Sequence, residues 1–215
     1  MPNAHSKHPN LRVVDHPLIA VKLGRLRDER TSSDDFRRLL DQVAGLMVYS
    51  VSAAFETEPI EIKTPLEKTK GKILSKPVTL VPILRAGIGM TDGILALMPE
   101  ARVGHLGVYR DEQSHQPVAY YEKLPVDVAA GPVLVVDPML ATGGSASYVV
   151  DRLRNAGCEQ VSMVCLVAAP EGVELMAKQH PDVTIFTAAL DRQLSAQAYI
   201  LPGLGDAGDR IFGTQ

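Results

Sequence analysis

The sequence predicts an α/β fold, with one open and mainly parallel sheet wound by helices on both faces. Three observations carry this. Residues 78–83 (VTLVPI), 133–137 (VLVVD) and 161–168 (VSMVCLVA) are short, nearly continuous apolar runs. Strands buried on both faces read this way, whereas a half-exposed strand would alternate. Each run leads through a turn into a segment of helical character. The resulting succession of strand, helix, strand, helix calls for parallel strands joined by right-handed crossovers.

The chain has 215 residues, 46% hydrophobic and 22% charged, with a net charge of −3. That is one globular domain, or a domain with a small appendage, able to bury a core. The mild acidity offers no electrostatic footprint for nucleic acid. No apolar run has the length of a membrane span, and MPNAHSKHPN has no apolar core of a secretory signal, so a cytoplasmic protein is expected. Cys158 and Cys165 read as small buried thiols of a reducing compartment.

Taken in order, residues 1–10 read as frayed and 11–30 as a short leading segment. Thr31, Ser32 and Ser33 offer N-caps for a long helix. Its stripe is Phe36, Leu39, Leu40, Val43, Leu46, Met47, Val51 and Ala54. Residues 60–73 hold two short β-like segments around Thr64-Pro65 and Lys70-Gly71. Strand 78–83 then delivers Arg85, Gly87 and Gly89 to its carboxyl end, the crevice where open α/β sheets bind ligands. On position alone Arg85 is either an ion-pair partner or an anion ligand. Residues 102–109 form a third strand, ending at Arg110. The polar, tyrosine-bearing hairpin after it is too long and polar for core, hence either disordered or a lid. His115 reads as a solvated residue at its tip. After the 133–137 strand come a helix at 146–156 with Gly157 as its stop, strand 161–168, a helix over 170–180 with Pro at its start, and strand 183–188. The tail, AYILPGLGDAGDRIFGTQ, has four glycines and Pro202 and is expected to hold no regular element. Its exposed backbone suits reading the edge of a flat heterocycle. Asp209 and Arg210 read as structural.

The segment 133–146, VLVVDPMLATGGSA, organises the rest. A buried strand carries Asp137 to the sheet edge, a small-residue turn follows, and a helix begins. Free N–H groups of the first helical turn make an anion site. The dipole adds only about 0.3–1 kcal/mol when exposed and up to ~2 when partly buried, so several amides must act with the Thr142 and Ser145 hydroxyls. Gly143 and Gly144 let a ligand approach the backbone. No lysine follows Gly144, which excludes a P-loop. A ligand with a phosphate at one end and hydroxyls or a metal nearby fits, such as a ribose phosphate. An ordinary glycine-rich turn is the plainer alternative for TGGS alone.

DPMLATGGSA resembles the loop with which phosphoribosyltransferases, and specifically the uracil phosphoribosyltransferase family, hold the ribose 5-phosphate of phosphoribosyl diphosphate (PRPP). Pro138 stands where most of the wider superfamily has a second acid, as in the uracil enzymes. VPILRAGIGM is similar to the family's diphosphate loop and implies a cis peptide next to Arg85. YRDEQSHQPVAYYEKLP is similar to its flap. The resemblance implies a Rossmann-like parallel sheet of the phosphoribosyltransferase type, with a flap hairpin and a small hood. It implies a single domain over 1–215, with a helical extension at about 11–57, a flap at about 110–125 and a base-binding loop at about 199–213.

It also implies a site. Arg85, Arg110, Asp137, Pro138, Met139, Leu140, Ala141, Thr142, Gly143, Gly144, Ser145 and Asp206 would hold PRPP. Ile200, Gly205, Asp206 and Ala207 would hold uracil, largely through backbone atoms. Asp206 and Arg110 would be the catalytic groups. The expected reaction makes UMP and diphosphate in pyrimidine salvage, a pentosyl transfer. One Mg²⁺ per subunit would ride in with PRPP, with no direct protein ligand. GTP is a possible allosteric activator, and a homodimer or larger homo-oligomer is expected. The rivals are an RNA-binding regulator on the same fold, which would need a basic face, and a relative acting on a purine or orotate, for which Arg210 is the one candidate cation in the tail.

Overall fold

The computed structural model describes residues 8–110 and 117–214. In chain order the elements are β1 (Leu11–Val13), α1 (Pro17–Arg27), α2 (Ser33–Val51), β2 (Thr57–Lys63), β3 (Lys68–Leu74), β4 (Thr79–Leu84), α3 (Thr91–Leu95), β5 (Arg102–Val103), β6 (His105–Arg110), β7 (Pro117–Lys123), β8 (Val133–Val136), β9 (Met139–Leu140), α4 (Gly144–Asn155), β10 (Val161–Ala168), α5 (Pro170–Gln179), β11 (Thr184–Leu190), β12 (Gln193–Leu194), β13 (Ile200–Leu201) and α6 (Ala207–Phe212). The main sheet runs β1-β11-β10-β8-β4-β6-β7. Its pairs are parallel except β6 with β7. Short β5 and β9 extend it by pairing with β4 and β10.

Side chains alternate across the sheet and divide the core in two. Leu80, Leu134, Val136, Val164 and Leu166 face the layer built from α1, α2, α3 and α6. Val81, Ile83, Val133, Val135, Met163 and Cys165 face α4 and α5. Both sides are covered, which is why these strands are apolar throughout rather than every second residue. Of the α2 stripe, Phe36, Leu39, Leu40, Val43, Met47 and Val51 are buried, Leu46 is partly buried, and Ala54 falls beyond the helix end and is exposed; the Ser32 side chain caps the helix by accepting from the Asp35 N–H. Pro170 opens α5 at a position where its missing N–H costs nothing. Both cysteines are buried, and burial pushes the Cys165 thiol up to about 12, so it is an inert core group. Among the described residues no helix is long and apolar enough to cross a membrane.

Several expectations need correction. Residues 8–10 are not frayed: His8 and Asn10 are buried, and the Asn10 amide donates to the Val183 carbonyl at 3.2 Å. Residues 1–7 lie outside the described residues, as does His115. The segment after them holds a strand and an eleven-residue helix, β1 and α1. Residues 57–74 form one hairpin with its turn at Thr64–Glu67, so Lys70-Gly71 lies inside a strand. Strand 102–109 is split at Gly104 into β5 and β6. Met139 and Leu140, expected in a turn, pair with β10. The tail does contain regular structure. Gly205 precedes the Asp206 cap of α6 and left-handed Gly213 closes it, while Gly208 is accommodated in its first turn and Gly203 lies in the loop before it. The predicted backbone feature at Arg85 is present: the Leu84–Arg85 peptide is cis.

Candidate active site

β8 ends at the carboxyl edge of the sheet, and Asp137 follows immediately. The β10 N–H groups of Leu166 and Val167 hold the Pro138 carbonyl at 3.0 and 3.1 Å, fixing the chain as it leaves the strand. The loop then turns through Gly143, whose φ of 84° lies in the left-handed region that a side chain resists. α4 starts at once, with no side chain capping its first turn. Its leading N–H groups are therefore available to an anion. The Thr142 hydroxyl lies 3.5 Å from the Gly144 N–H, too far to satisfy it well.

These groups line a cavity of about 570 Å³. One wall is Met139, Ala141, Thr142, Gly144 and Ser145; the other is Gln197, Ala198, Tyr199, Ile200 and Asp206. Two segments some fifty residues apart thus meet, as the motifs required. Pro138, Leu140 and Gly143 are buried behind the first wall. Gly205 is exposed beside the second, and the Ala207 side chain is buried in the core. A smaller cavity of about 390 Å³ lies at the opposite end of the strands, bordered by Phe55, Lys76, Glu159 and Phe186, and contains none of the motif residues.

Gln197 lies outside the segment expected to read the base, and Ala198 and Tyr199, at its start, are not singled out there. They form a tight turn between β12 and β13, in which the Ser195 hydroxyl accepts from the Gln197 and Tyr199 N–H groups at 3.2 Å each. Ala198 takes φ of 63°, a conformation for which alanine gives no signal. The Ser195 side chain, a turn-former, was the one available clue.

Asp206 has two tasks. It caps α6 by accepting from the Asp209 N–H at 2.9 Å, and it faces the cavity. Arg85 is exposed and, among the described residues, forms no ion pair. Its guanidinium lies 5.7 Å from the centre of the Phe212 ring and, like the Asp206 carboxylate, close to Gly208. The position thus suits an anion ligand better than an internal salt bridge. Arg110 closes β6 opposite Pro117, at the base of the β6–β7 hairpin whose tip lies outside the described residues.

Asp137 is the perturbed acid of the site. Burial pushes its carboxyl up to about 7, the Asp206 charge adds to the rise, and the Met139 N–H, donating at 3.3 Å, opposes it. Among the described residues no three His, Cys, Asp or Glu converge on a metal-sized point. The donor set here suits a cation that arrives with most of its shell already supplied by phosphate and water. Arg210 does not reach the cavity lining. It bonds the Leu26, Leu204 and Asp28 carbonyls and stacks 4.4 Å over Phe36, the structural role expected of it.

A family model of uracil phosphoribosyltransferase matches residues 13–214. A uracil phosphoribosyltransferase of Lactococcus lactis is 56% identical over 95% of this chain and 98% of its own length. One from Bacillus thuringiensis is 52% identical, over 95% and 99%. A solved structure from Aquifex aeolicus superposes with a TM-score of 0.91 at 33% identity, covering 95% of this chain and 99% of that one. A hypoxanthine-guanine phosphoribosyltransferase of Bacillus anthracis shares the fold alone, with a TM-score of 0.51 at 10% identity over 74% and 80%. With an uncapped helix start facing a cavity closed by the tail, and a match that spans residues 13–214, the chain belongs to the uracil phosphoribosyltransferase family.

Proposed function

We propose that this protein transfers the phosphoribosyl group of PRPP to a ring nitrogen of uracil, giving UMP and diphosphate in UMP salvage. The observation that carries the reading is the single cavity in which the open amides at the start of α4 face the tail segment ending at Asp206. The α4 amides with Thr142 and Ser145 hold the 5-phosphate, while Pro138, Met139, Leu140, Ala141 and Gly143 shape the backbone that presents them. Asp137 takes the ribose hydroxyls or metal-bound waters on them. Backbone groups of Ile200, Gly205 and Ala207 read the pyrimidine edge.

In the transfer the bond from the anomeric carbon to the diphosphate oxygen breaks, a bond to the uracil nitrogen forms, and the proton on that nitrogen passes to the departing diphosphate or to solvent. Positive charge grows on the sugar and negative charge on the leaving diphosphate. Arg85 and Arg110 supply the cations for that departure, and a rigid phosphate cradle keeps the anomeric carbon in line. Asp137 and Asp206 are the nearby acids that would hold the waters of a Mg²⁺ ion arriving with PRPP, and such an ion would supply further positive charge for the diphosphate. Asp206 is the one carboxylate in the tail wall and the candidate to orient the base. The β6–β7 flap excludes water that would otherwise hydrolyse PRPP. The chain acts as a homo-oligomer in the cytoplasm, and GTP is tested as its activator.

The test is chromatographic detection of UMP and diphosphate from PRPP and uracil, with and without Mg²⁺ and GTP. UMP is expected, with loss of turnover on chelation. 5-Fluorouracil should be accepted and cytosine rejected by up to roughly 10⁴-fold, because an amine in place of a carbonyl mispairs buried backbone groups. Comparable rates with cytosine, or release of diphosphate without nucleotide, would overturn the reading.

A further inference from the structure

The tail wall of the cavity hangs on an ion pair that lies outside the cavity. Arg27 closes α1, and Asp191 follows β11 with 8% of its surface exposed. They meet as two parallel bonds, Nη1 to Oδ2 at 2.8 Å and Nη2 to Oδ1 at 2.6 Å. The pair also grips both polar groups of one residue. The Gly203 N–H donates to Asp191 Oδ2 at 2.9 Å, and the Gly203 carbonyl accepts from Arg27 Nη1 at 2.6 Å. Gly203 has φ of 63°, and a Cβ there would stand 2.1 Å from the Ile200 carbonyl oxygen, so only glycine fits the grip.

Gly203 lies midway between Ile200 and Asp206, the two cavity-lining residues at the ends of this loop. Its height above the sheet therefore sets where both present their groups. None of Arg27, Asp191 and Gly203 lines the cavity. A fork-shaped guanidinium fixes direction as well as distance, which a lysine point charge does not. Resting on the proposed reaction, we propose that Arg27 and Asp191 are positioning residues for the pyrimidine. Their clamp on Gly203 sets the register of the 200–207 backbone against the base. It governs base affinity and base choice and leaves the sugar-phosphate end alone, because that end is built on β8, β10 and α4.

A buried pair complicates any single substitution, since the orphaned partner keeps an uncompensated charge and destabilises the fold. Replacing both members by apolar residues removes that penalty while still releasing Gly203. The test is therefore the Arg27→Met/Asp191→Leu double variant beside Arg27→Lys, reading kcat, KM for uracil, KM for PRPP, Tm and the uracil-to-cytosine ratio of kcat/KM. The double variant should stay folded and melt modestly below the parent, because the buried Gly203 N–H loses its acceptor, raise KM for uracil about tenfold or more, lower the base ratio similarly, and leave KM for PRPP within about twofold. Arg27→Lys should shift the same two base-related quantities by a smaller factor, and it carries the test if the double variant does not fold. Parental uracil constants in either active variant, or both KM values rising together as Tm falls, would overturn the inference. Failure of the proposed reaction would look different, as absence of UMP formation by the unaltered protein.

Discussion

At Asp137, stability and function respond to pH in opposite directions. Its carboxyl is raised to about 7, against an ordinary value of 3.8. Between those values the folded chain holds a proton that the unfolded chain has released. Stability is therefore greatest below pH 4 as far as this group is concerned, and declines as pH rises through 7. The whole effect is at most about 4 kcal/mol, from three units at 1.36 kcal/mol each. Binding of ribose hydroxyls, by contrast, needs the carboxylate to accept hydrogen bonds. kcat/KM for PRPP should accordingly rise with pH up to about 7 and then level off. Asp137→Asn should melt higher than the parent at pH 8, lose most of its turnover, and lose this inflection. Calorimetric melts and a pH–rate profile check both halves, and a variant that melts lower at pH 8 would refute the account.

At the scale of elements, the decisive contact is between the phosphate loop and α5. A Cβ at Gly172, in the first turn of α5, would lie 2.4 Å from the Ala141 carbonyl oxygen and 3.0 Å from that of Leu140. α5 can press on the back of the loop only because that side chain is missing. Gly172→Ala should push the loop outward, raise KM for PRPP and lower stability by roughly 1–3 kcal/mol, as overpacking does. Steady-state kinetics and denaturant melts read both, and an unaltered KM would mean the loop tolerates the shift. At the helix's other end, His180 Nε2 sits 2.9 Å from the Ser147 hydroxyl and ties α5 to the phosphate helix. Neither contact was visible in the sequence. What was visible were elements with strong local signals: the apolar runs of β4, β8 and β10, the Ser32 cap of α2, and TGGS at the start of α4. The hidden parts depend on distant partners. The two-residue strands β9 and β13 exist because β10 and β12 lie beside them. The Ala198 turn rests on a conformation that its own residue type disfavours, and the Arg27–Asp191 pair spans 164 positions.

For the molecule as a whole, one face is unfinished. Leu18 of α1 and Leu97 after α3 are 53% and 62% exposed and border a shallow apolar depression with Leu46 and Ala96, and Val21 of α1 is 65% exposed. The β2–β3 hairpin stands apart as its own two-stranded sheet, a unit that is marginal in water without further packing. Both features fit the proposed self-association. Leu18→Glu with Leu97→Glu should shift the protein to monomer in sedimentation velocity, and an unchanged sedimentation coefficient would remove this face from the interface.

The cavity has a core wall and a tail wall; the second is anchored by Ile200, Leu204, Ala207 and Ile211 in the core and by the bonds to Gly203 and Arg210, while its 196–199 turn stays at the surface. Recognition of the nucleobase is thereby separable from handling of the activated sugar. A library confined to positions 196–199 could be screened for new heterocycles without disturbing the core. For anyone making nucleotide analogues, that short turn is the place to introduce variety.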